Sequence, residues 1–388
     1  MRIPPQIEYM LRKLNASGHE AYLVGGCVRD FLLHGEPYDY DITTSATPDE
    51  TMAVFESDRV IPTGLKHGTV TVFYDGVSAE ITTFRTETTY SDGRHPDEVA
   101  FSKNISDDLC RRDFTVNAMA MGLDGMFVDL YGGEHDLTLK VIRAVGDAKT
   151  RFTEDALRIL RAFRFAAKLD FDIEDNTLDA AIFLAKRLSF VSRERICDEL
   201  CKLLCGKKVG KVLEIMHSGK VLDAIFEKPE INTDAFSYID TLPCRADVRL
   251  AAILLYDENV SAHVASLKTS AVFAESVRKI AECRLPLDDS APALRRFVLE
   301  SGKDACLDRA LIERESGLYG KISSLVQNED CFSVTDLKVN GSDVAKIVGK
   351  QGKEIGDTLK ALLLAVFDEK VTNNREELID FLKKVDNT

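Results

Sequence analysis

A short apolar strand that ends in two glycines, with two aspartates soon after it, constrains this chain more than any other feature. Gly25 and Gly26 close the apolar run, and twelve residues separate Gly26 from Asp39. Glycines at a strand end let the backbone approach a phosphate closely, and a helix that follows offers its N-terminal N–H groups to the anion. Alternation along the next strand would put the carboxylates of Asp39 and Asp41 on one face. The sequence therefore predicts a phosphate-binding turn beside two carboxylates.

The aspartate pair predicts a bound cation. Two unneutralised carboxylates a few ångströms apart repel each other, and hard oxygen ligands favour Mg²⁺ over softer metals. An isolated pair of this kind is often only a turn or a solvated strand end, and the preceding glycines are what favour metal binding. Phosphoryl transfer with two metal ions also uses a third carboxylate. Glu80, in an apolar strand, is the candidate, the alternative being that it faces solvent, and Glu87 is a weaker candidate.

The overall composition is that of a folded protein. The 388 residues are 45% hydrophobic, and 64 acidic against 50 basic residues give a net charge of -14. The apolar runs are far shorter than the roughly 18–20 residues that cross a bilayer, and the N-terminus lacks an apolar leader, so we expect a cytoplasmic protein without a membrane segment. The nine cysteines are expected to be reduced thiols. The acidity argues against nucleic acid covering the whole surface but permits a local basic groove.

The pattern of apolar residues changes near the middle of the chain. Short strands are predicted at 21–26, 69–76 and 79–84. Farther on the pattern is helical, with helices predicted over Arg151–Lys168, Asn176–Leu188 and Ser192–Leu204. A last helical stretch runs to the C-terminus. These patterns predict an α/β domain of about 140 residues followed by an all-helical remainder.

The first of these helices combines an apolar face with a cationic one. Thr153 is the predicted N-cap, and Glu154 and Asp155 place negative charge in the first turn. The apolar side chains fall on one side of the helical wheel, and the other side carries Arg158, Arg161 and Arg164. Eight basic and three acidic residues between positions 140 and 168 give a local charge of +5. A basic face alone is usually a solvated surface, but beside a metal-binding pair it predicts a seat for a nucleoside triphosphate.

Five motifs follow one another in the first half of the chain. They are the glycine turn with Asp39-Tyr-Asp41, Arg111-Arg112-Asp113-Phe-Thr-Val-Asn117, Asp129-Leu-Tyr-Gly132-Gly133, Glu154-Asp155-Ala-Leu-Arg158-Ile-Leu-Arg161 and Ser192-Arg-Glu194-Arg195. The first resembles the metal-binding motif of the DNA polymerase β-type nucleotidyltransferase superfamily. Together, over residues 20–205, the motifs resemble the class II tRNA nucleotidyltransferases, the CCA-adding enzymes, and the related bacterial poly(A) polymerases.

The resemblance implies a fold in four parts. An α+β head of the DNA polymerase β-type nucleotidyltransferase fold would be followed by an all-α neck, body and tail, which agrees with the change of pattern along the chain. We expect the catalytic head over residues 1–140, a neck that recognises the nucleotide base over 141–205, the body over 206–332 and a tail that contacts tRNA over 333–388. The oligomeric state is not predicted.

The resemblance also implies an activity, the template-independent addition of C, C and A to the 3′ end of tRNA. CTP and ATP would be the substrates, pyrophosphate the product and Mg²⁺ the cofactor. Asp39 and Asp41 would bind the metal, and Glu80 would be the third catalytic carboxylate. An enzyme that adds only the final A, or a poly(A) polymerase, is the alternative. The polar stretch over residues 86–108 corresponds to a loop that CC-only enzymes lack, which disfavours that class.

Base recognition would fall on Asp155 and Arg158. Adenine and cytosine each present an amino donor beside a ring-nitrogen acceptor, which an Asp acceptor and an Arg donor can match, whereas guanine and uracil present the reverse. In the second motif Arg112 would contact the incoming nucleotide, and Asp113 its ribose hydroxyl. Arg29 would support the triphosphate. The remaining predicted nucleotide-binding residues are Gly25, Gly26, Asn117, Arg161 and Arg164.

Two weaker patterns have structural interpretations. Gly349-Lys-Gln-Gly352 matches the G-x-x-G loop of KH domains, but the strands of that fold are not evident, and we expect a turn between helices. Cys197, Cys201 and Cys205 share one helical face. We expect them in the core, because a structural zinc ion needs four ligands.

Overall fold

The computed structural model describes residues 3–37, 39–87, 99–328, 331–349 and 351–386. The chain divides into two units, one made of Met1–Pro229 with Ser266–Lys268 and the other of Glu230–Ala265 with Thr269–Thr388. The boundary after Pro229 falls inside the stretch predicted as the body, and the four-part division stays a prediction. Within the described residues, every helix is too short or too polar to cross a membrane. Residues 88–98 of the predicted loop over 86–108 lie outside the described residues.

The first unit is built on a mixed seven-stranded sheet. The strands of this unit are β1 (Ala21–Val24), β2 (Asp41–Thr44), β3 (Arg59–Gly64), β4 (Thr69–Tyr74), β5 (Val77–Thr83), β6 (Arg85–Glu87), β7 (Val99–Phe101), β8 (Met119–Met121), β9 (Phe127–Asp129), β10 (Val141–Ile142) and β11 (Asp172–Ile173). The order in the sheet is β3-β4-β5-β2-β1-β8-β9, while β6 pairs with β7 and β10 with β11. The central position of β1 and β2 in the sheet follows from their apolar side chains, because Leu23, Val24 and Ile42 are almost completely buried.

Eleven α-helices in the described part of this unit alternate with the strands along the chain or follow them. They are α1 (Pro5–Ala16), α2 (Gly26–Leu32), α3 (Pro48–Val54), α4 (Ile105–Cys110), α5 (Gly133–Leu139), α6 (Ala148–Glu154), α7 (Leu157–Leu169), α8 (Asp175–Leu184), α9 (Arg193–Leu204), α10 (Val209–Ser218) and α11 (Val221–Phe226). Short 3-10 helices cover Leu65–His67, Thr115–Asn117 and Ala185–Phe190. The predicted sheet domain followed by helices is confirmed, but the prediction that residues 141–205 are all helical is wrong at β10 and β11, which pair with each other.

The predicted strands form, with one difference at the aspartate pair. The segments at 21–26, 69–76 and 79–84 correspond to β1, β4 and β5. The strand β2 begins at Asp41, so Asp39 precedes it, and the prediction that both aspartates lie within one strand is wrong. Instead, β2 runs parallel to β5 with Asp41 opposite Glu80. Pairing between strands, rather than alternation along one strand, therefore brings Glu80 beside Asp41.

The helix predicted over Arg151–Lys168 is two helices. Asp155 separates α6 from α7 with an extended backbone (φ -136°, ψ 105°), and its Oδ1 accepts a hydrogen bond from the Leu157 N–H at 3.0 Å. The predicted N-cap is wrong, because Thr153 lies inside α6, which is capped by Asp147 instead. The predicted apolar face of α7 is confirmed by the burial of Ile159, Leu160, Phe163 and Ala167.

The next two predicted helices also form. The one predicted over Asn176–Leu188 is α8 followed by the 3-10 helix Ala185–Phe190, and the one predicted over Ser192–Leu204 is α9, with Ser192 at its N-cap position. On α9 Cys197 is buried, but Cys205 lies just past the helix end and is exposed, so its predicted core position is wrong. All nine cysteines fall within the described residues, and none of them is in a disulfide.

The described residues of the second unit are helical and contain no strand. The helices are α12 (Ala246–Ile253), α13 (Val260–Ser266), α14 (Ala271–Glu282), α15 (Ala291–Ser301), α16 (Lys303–Ile312), α17 (Ser316–Gln327), α18 (Gly341–Val348), α19 (Lys353–Phe367) and α20 (Arg375–Asp386). Phe297 and Ile322 belong to one apolar core, and Leu362 and Leu378 to another. The helix α18 ends at a left-handed Gly349 shortly before α19 begins, which confirms the predicted turn between helices.

Candidate active site

The glycine turn brings two arginines against the backbone. Gly25 has a left-handed backbone (φ +76°) and directly precedes α2. A Cβ added at Gly25 would lie 3.1 Å from Arg112 Nη1, and one added at Gly26 would lie 3.6 Å from Arg29 Nη2. A side chain at position 25 would therefore strain the turn and push the Arg112 guanidinium away. The turn combines an open backbone with an adjacent cationic group, as phosphate binding requires.

Asp39, Asp41 and Glu80 form the group that we call the carboxylate site. Asp41 and Glu80 are opposite each other on β2 and β5, and all three residues are exposed to solvent. The protein around Asp41 nevertheless displaces enough water to raise the pKa of its carboxyl, and the negative charges of Glu80 and Asp39 raise that pKa further. The positive charge of Arg112 opposes them. The carboxylate site therefore carries excess negative charge next to one arginine.

The chemistry of the carboxylate site fits a divalent cation. Carboxylate oxygens are hard ligands, and a cation would relieve the repulsion that contributes to the raised pKa of Asp41. Asp39 and Asp41 are the residues that would hold it. The described part of the chain contains no group of three or more His, Cys, Asp or Glu side chains arranged to bind a metal. The structure thus places Glu80 beside Asp41 without forming a three-carboxylate metal centre.

Asp113, from the second motif, is the centre of a buried hydrogen-bond network. Its Oδ2 accepts from Arg161 Nε at 2.8 Å, and its Oδ1 accepts from Asn117 Nδ2 at 3.2 Å. Asn117 Oδ1 in turn accepts from Arg29 Nη1 at 2.5 Å. Burial alone would raise the pKa of Asp113, but the charge of Arg161 and these hydrogen bonds outweigh it and lower the pKa to about 2. Four of the predicted nucleotide-binding residues therefore form one ionised, internally paired unit.

A pocket of about 260 Å³, which we call the base pocket, adjoins this network. Its lining consists of Arg111, Arg112, Asp113, Asp155, Leu157, Arg158, Arg161 and Arg195. Asp155 Oδ2 accepts from Arg195 Nη2 at 2.8 Å. Arg158 donates to Glu154 Oε2 at 2.6 Å and to the carbonyl oxygen of Arg111 at 2.9 Å. The two residues predicted to select the base thus face one pocket, and neighbours hold each of them in place.

Arg29 and Arg164 lie outside the lining of the base pocket. The ring of Phe165 is 5.3 Å from the Arg29 guanidinium, 5.3 Å from that of Arg161 and 4.1 Å from that of Arg164. Arg164 Nε also lies 2.7 Å from the buried carboxylate of Glu199, while burial lowers the pKa of Arg164. Arg29 is only 3% exposed. These two arginines are therefore placed to support neighbouring groups, whereas Arg112, Arg158 and Arg161 reach the pocket.

Two buried carboxylates that hold several of these arginines were not predicted from the sequence. Glu199 pairs with Arg164, and Asp108 pairs with both Arg111 and Arg112. The spacing of Asp108, three and four residues before two arginines, was a local signal that could have found it. Glu199 is far from its partner along the chain and offered no such signal.

Comparison with known proteins assigns the chain to a family. Three family models match it in order: the poly(A) polymerase head domain over residues 21–143, the RNA and SrmB binding site of polymerase A over 170–234, and tRNA nucleotidyltransferase domain 2 over 248–382. The CCA-adding enzyme of Streptococcus thermophilus is 36% identical over 386 residues, 96% of this chain and 95% of that protein. The chain belongs to the CCA-adding enzyme family.

Other members of the CCA-adding enzyme family agree with this assignment. The enzyme of Oceanobacillus iheyensis is 49% identical over 205 residues, 53% of this chain and 51% of that protein. The crystal structure of the Bacillus stearothermophilus CCA-adding enzyme in complex with CTP matches with a TM-score of 0.84 and 29% identity, covering 100% of this chain and 98% of that chain. The predicted fold class, an α+β nucleotidyltransferase head followed by helical parts, is confirmed. Membership of this family implies the use of a divalent metal ion.

Proposed function

We propose that this protein adds C, C and A to the 3′ end of tRNA, using CTP and ATP without a nucleic-acid template and releasing pyrophosphate. The observation that carries the proposal is the 36% identity to a CCA-adding enzyme over 96% of the chain. The site supports it, because a carboxylate site and an arginine-lined base pocket lie in one unit. Arg112 connects them, since it lines the pocket and its charge acts on Asp41.

The reaction would be an in-line attack of the tRNA 3′ hydroxyl on the α-phosphate of the nucleotide. Asp39 and Asp41 would hold Mg²⁺, which we infer from their hard oxygen ligands. Bound there, the ion would lower the pKa of the attacking hydroxyl and neutralise charge on the phosphates. The Gly25 backbone would let the triphosphate approach, and Arg112 would bind its oxygens. Glu80, beside Asp41, would help to orient the hydroxyl.

Selection of the base would come from the base pocket. Asp155 would accept a hydrogen bond from the amino group of cytosine or adenine, and Arg158 would donate to the adjacent ring nitrogen. Guanine or uracil would leave polar groups unpaired in the pocket, at a cost of roughly 1–3 kcal/mol each. Asp113 would contact the ribose hydroxyl while it holds Arg161, which supports the preference for ribonucleotides that the family resemblance implies.

A poly(A) polymerase is the second candidate, because two of the matching family models carry that name. The test incubates purified protein with transcripts that end at the discriminator base, after C or after CC, and with each nucleoside triphosphate separately and together. A CCA-adding enzyme completes CCA on all three transcripts and stops. An A-adding enzyme extends only the transcript that ends in CC, and a poly(A) polymerase adds A repeatedly to all of them.

The identity of the metal is tested in the same assay. Chelation should abolish incorporation, and Mg²⁺ at millimolar concentration should restore it. Restoration by a softer ion such as Zn²⁺, but not by Mg²⁺, would contradict the magnesium proposal. The cytoplasmic location expected from the sequence stays a prediction.

A further inference from the structure

Asp108, near the end of α4, is a completely buried carboxylate with 0% of its surface exposed. Its Oδ1 accepts from Arg111 Nε at 3.1 Å and Nη2 at 2.6 Å. Its Oδ2 accepts from Arg112 Nη2 at 2.8 Å and from Thr43 Oγ1 at 3.2 Å, a hydroxyl whose single proton is shared with the carbonyl oxygen of Thr82, also at 3.2 Å. A buried charge is costly unless it is paired and hydrogen-bonded, and here four donors satisfy both oxygens. The carboxylate is therefore a fixed point to which two arginines are attached.

The hydrogen bonds of Asp108 Oδ2 involve residues on the side of the site where the triphosphate would bind. Arg112 Nη1 lies 3.1 Å from the position that a Cβ on Gly25 would take, so Asp108 holds this guanidinium against the glycine turn. Thr43 belongs to β2 and follows Asp41 by two residues. The Thr43 hydrogen bond therefore anchors Asp108 to the strand that carries a metal-binding aspartate.

The hydrogen bonds of Asp108 Oδ1 involve Arg111, which lies on the side of the site where the base would bind. Two N–H groups of one Arg111 guanidinium bind Oδ1, which restricts the orientation of that planar group. Arg111 lines the base pocket, and its carbonyl oxygen accepts a hydrogen bond from Arg158 Nη2 at 2.9 Å. Asp108 therefore holds the side chain of the residue whose backbone carbonyl supports Arg158, the residue proposed to read the base.

A neutral side chain of the same shape could not hold both arginines. Asparagine offers one acceptor oxygen and one NH₂ group, and the NH₂ group would face the N–H donors of one guanidinium. Either Arg111 or Arg112 would lose its partner in an Asp108→Asn variant. The charge and both oxygens of Asp108 are needed for the arrangement that the structure has.

We propose that Asp108 is a positioning residue that holds Arg112 at the glycine turn and Arg111 at the base pocket, so that one carboxylate sets both the triphosphate side and the base side of the nucleotide site. The proposal rests on the proposed function, because it takes CTP or ATP as the ligand. Asp108 itself does not contact the nucleotide. Its replacement should change nucleotide affinity and base preference together, because each depends on a different one of the two arginines.

The experiment compares Asp108→Asn with a matched control, Asp136→Asn. Asp136 is 2% exposed and also pairs with a threonine and an arginine, accepting from Thr115 Oγ1 at 2.6 Å and from Arg143 Nε at 3.1 Å, but it is not part of the base pocket. Binding of CTP, ATP and GTP is measured by calorimetry without tRNA. Asp108→Asn should weaken CTP and ATP binding by about 10-fold and narrow their advantage over GTP several-fold, whereas Asp136→Asn should change neither by more than about 2-fold.

Three outcomes would overturn the proposal. The first is wild-type affinity and base preference in folded Asp108→Asn. The second is an equal loss in Asp136→Asn at an equal midpoint of thermal unfolding, which would make Asp108 a stabilising residue only. If Asp108→Asn does not fold, Thr43→Val is used instead, because it removes one hydrogen-bond donor to Asp108 and keeps the carboxylate. This variant should weaken CTP binding by about 2-fold to 3-fold and leave base preference unchanged. Unchanged CTP affinity in Thr43→Val is the third outcome that would overturn the proposal. A wild-type protein that binds CTP in this way but does not extend tRNA would refute the proposed function and leave the role of Asp108 standing.

Discussion

The base pocket and the carboxylate site balance their charges in opposite ways. In the base pocket Asp155 is paired with Arg195, and the adjoining Asp113 is paired with Arg161 and has its pKa lowered to about 2. At the carboxylate site the pKa of Asp41 is raised by the loss of water to the surrounding protein and by two carboxylate neighbours, and it is lowered by one arginine. Neighbouring side chains therefore neutralise the charges of the pocket, whereas the excess negative charge of the carboxylate site is what the proposed cation would neutralise.

Replacement of Asp41 is expected to have the largest effect on activity. Asp41→Asn removes a charge that we propose binds the cation, and incorporation of CTP into tRNA should fall by about 10³-fold or more. CTP affinity measured without metal should stay within about 2-fold, because the partners of the base pocket remain in place. Single-turnover kinetics and calorimetry measure the two quantities. Asp49→Asn, at an exposed position on α3, is the control, and a loss of metal-free CTP binding in Asp41→Asn would break the separation between the two regions.

Replacement of Arg158 should alter base preference and leave the metal dependence of the reaction unchanged. Arg158→Ala removes the donor for the ring nitrogen, and the preference for C and A over G and U should fall by about 10²-fold while the dependence of the rate on metal concentration is unchanged. Competition assays with paired nucleotides measure the preference. Arg143→Ala removes the same charge from the same basic stretch but outside the pocket, and it should leave base preference as it is. An unaltered preference in Arg158→Ala would refute the assignment of base selection to this residue.

The pairing of Asp113 should appear as a pH-dependent contribution to stability. The pKa of Asp113 is lowered from 3.8 to about 2 in the folded protein, so its charge contributes about 2 kcal/mol to the free energy of unfolding above pH 4. This contribution is lost as the pH falls from about 4 towards 2, because the unfolded chain binds the proton first, and about half should remain near pH 3. Urea unfolding of wild type and Asp113→Asn across this range measures the difference. A difference that stays constant down to pH 3 would contradict the ion pair.

Replacement of Glu80 should have the smallest effect. Glu80 is exposed, and its proposed role is to orient the attacking hydroxyl while Asp39 and Asp41 hold the metal. Glu80→Gln should therefore slow incorporation by about 10-fold or less, far below the loss from Asp41→Asn. Metal titrations of the rate for both variants measure the contrast. Equal losses would make Glu80 a metal ligand in the active complex.

Local patterns in the sequence predicted much of the fold. Apolar runs bounded by glycine identified β1 and β4, and helical periodicity identified the apolar face of α7, because these features depend on near neighbours in the chain. The break between α6 and α7 was not predictable in this way. Asp155 binds the Leu157 N–H locally, but its other oxygen binds Arg195, a partner that only the folded chain brings close.

Individual residues of the candidate site were predictable from the sequence, but the contacts between residues distant along the chain were not. Residue types and spacing were enough to select Asp41, while the resemblance to the CCA-adding enzymes pointed to Arg112 and to Arg158 as the residue that reads the base. The proximity of Asp41 and Glu80 depends on parallel pairing of β2 with β5, which a single sequence does not specify. The role of Asp108 depends on a contact with Thr43, another residue distant along the chain.

The parallel pairing of β2 with β5 also sets the order in which this protein can become functional as it folds. Residues 41 and 80 are separated by the whole of β3 and β4, which form an antiparallel ladder next to β5. Contacts between such distant positions form late, because loop closure costs entropy before the contacts repay it. A partly synthesised or partly folded chain in which β2 and β5 are not yet paired therefore lacks the complete carboxylate site.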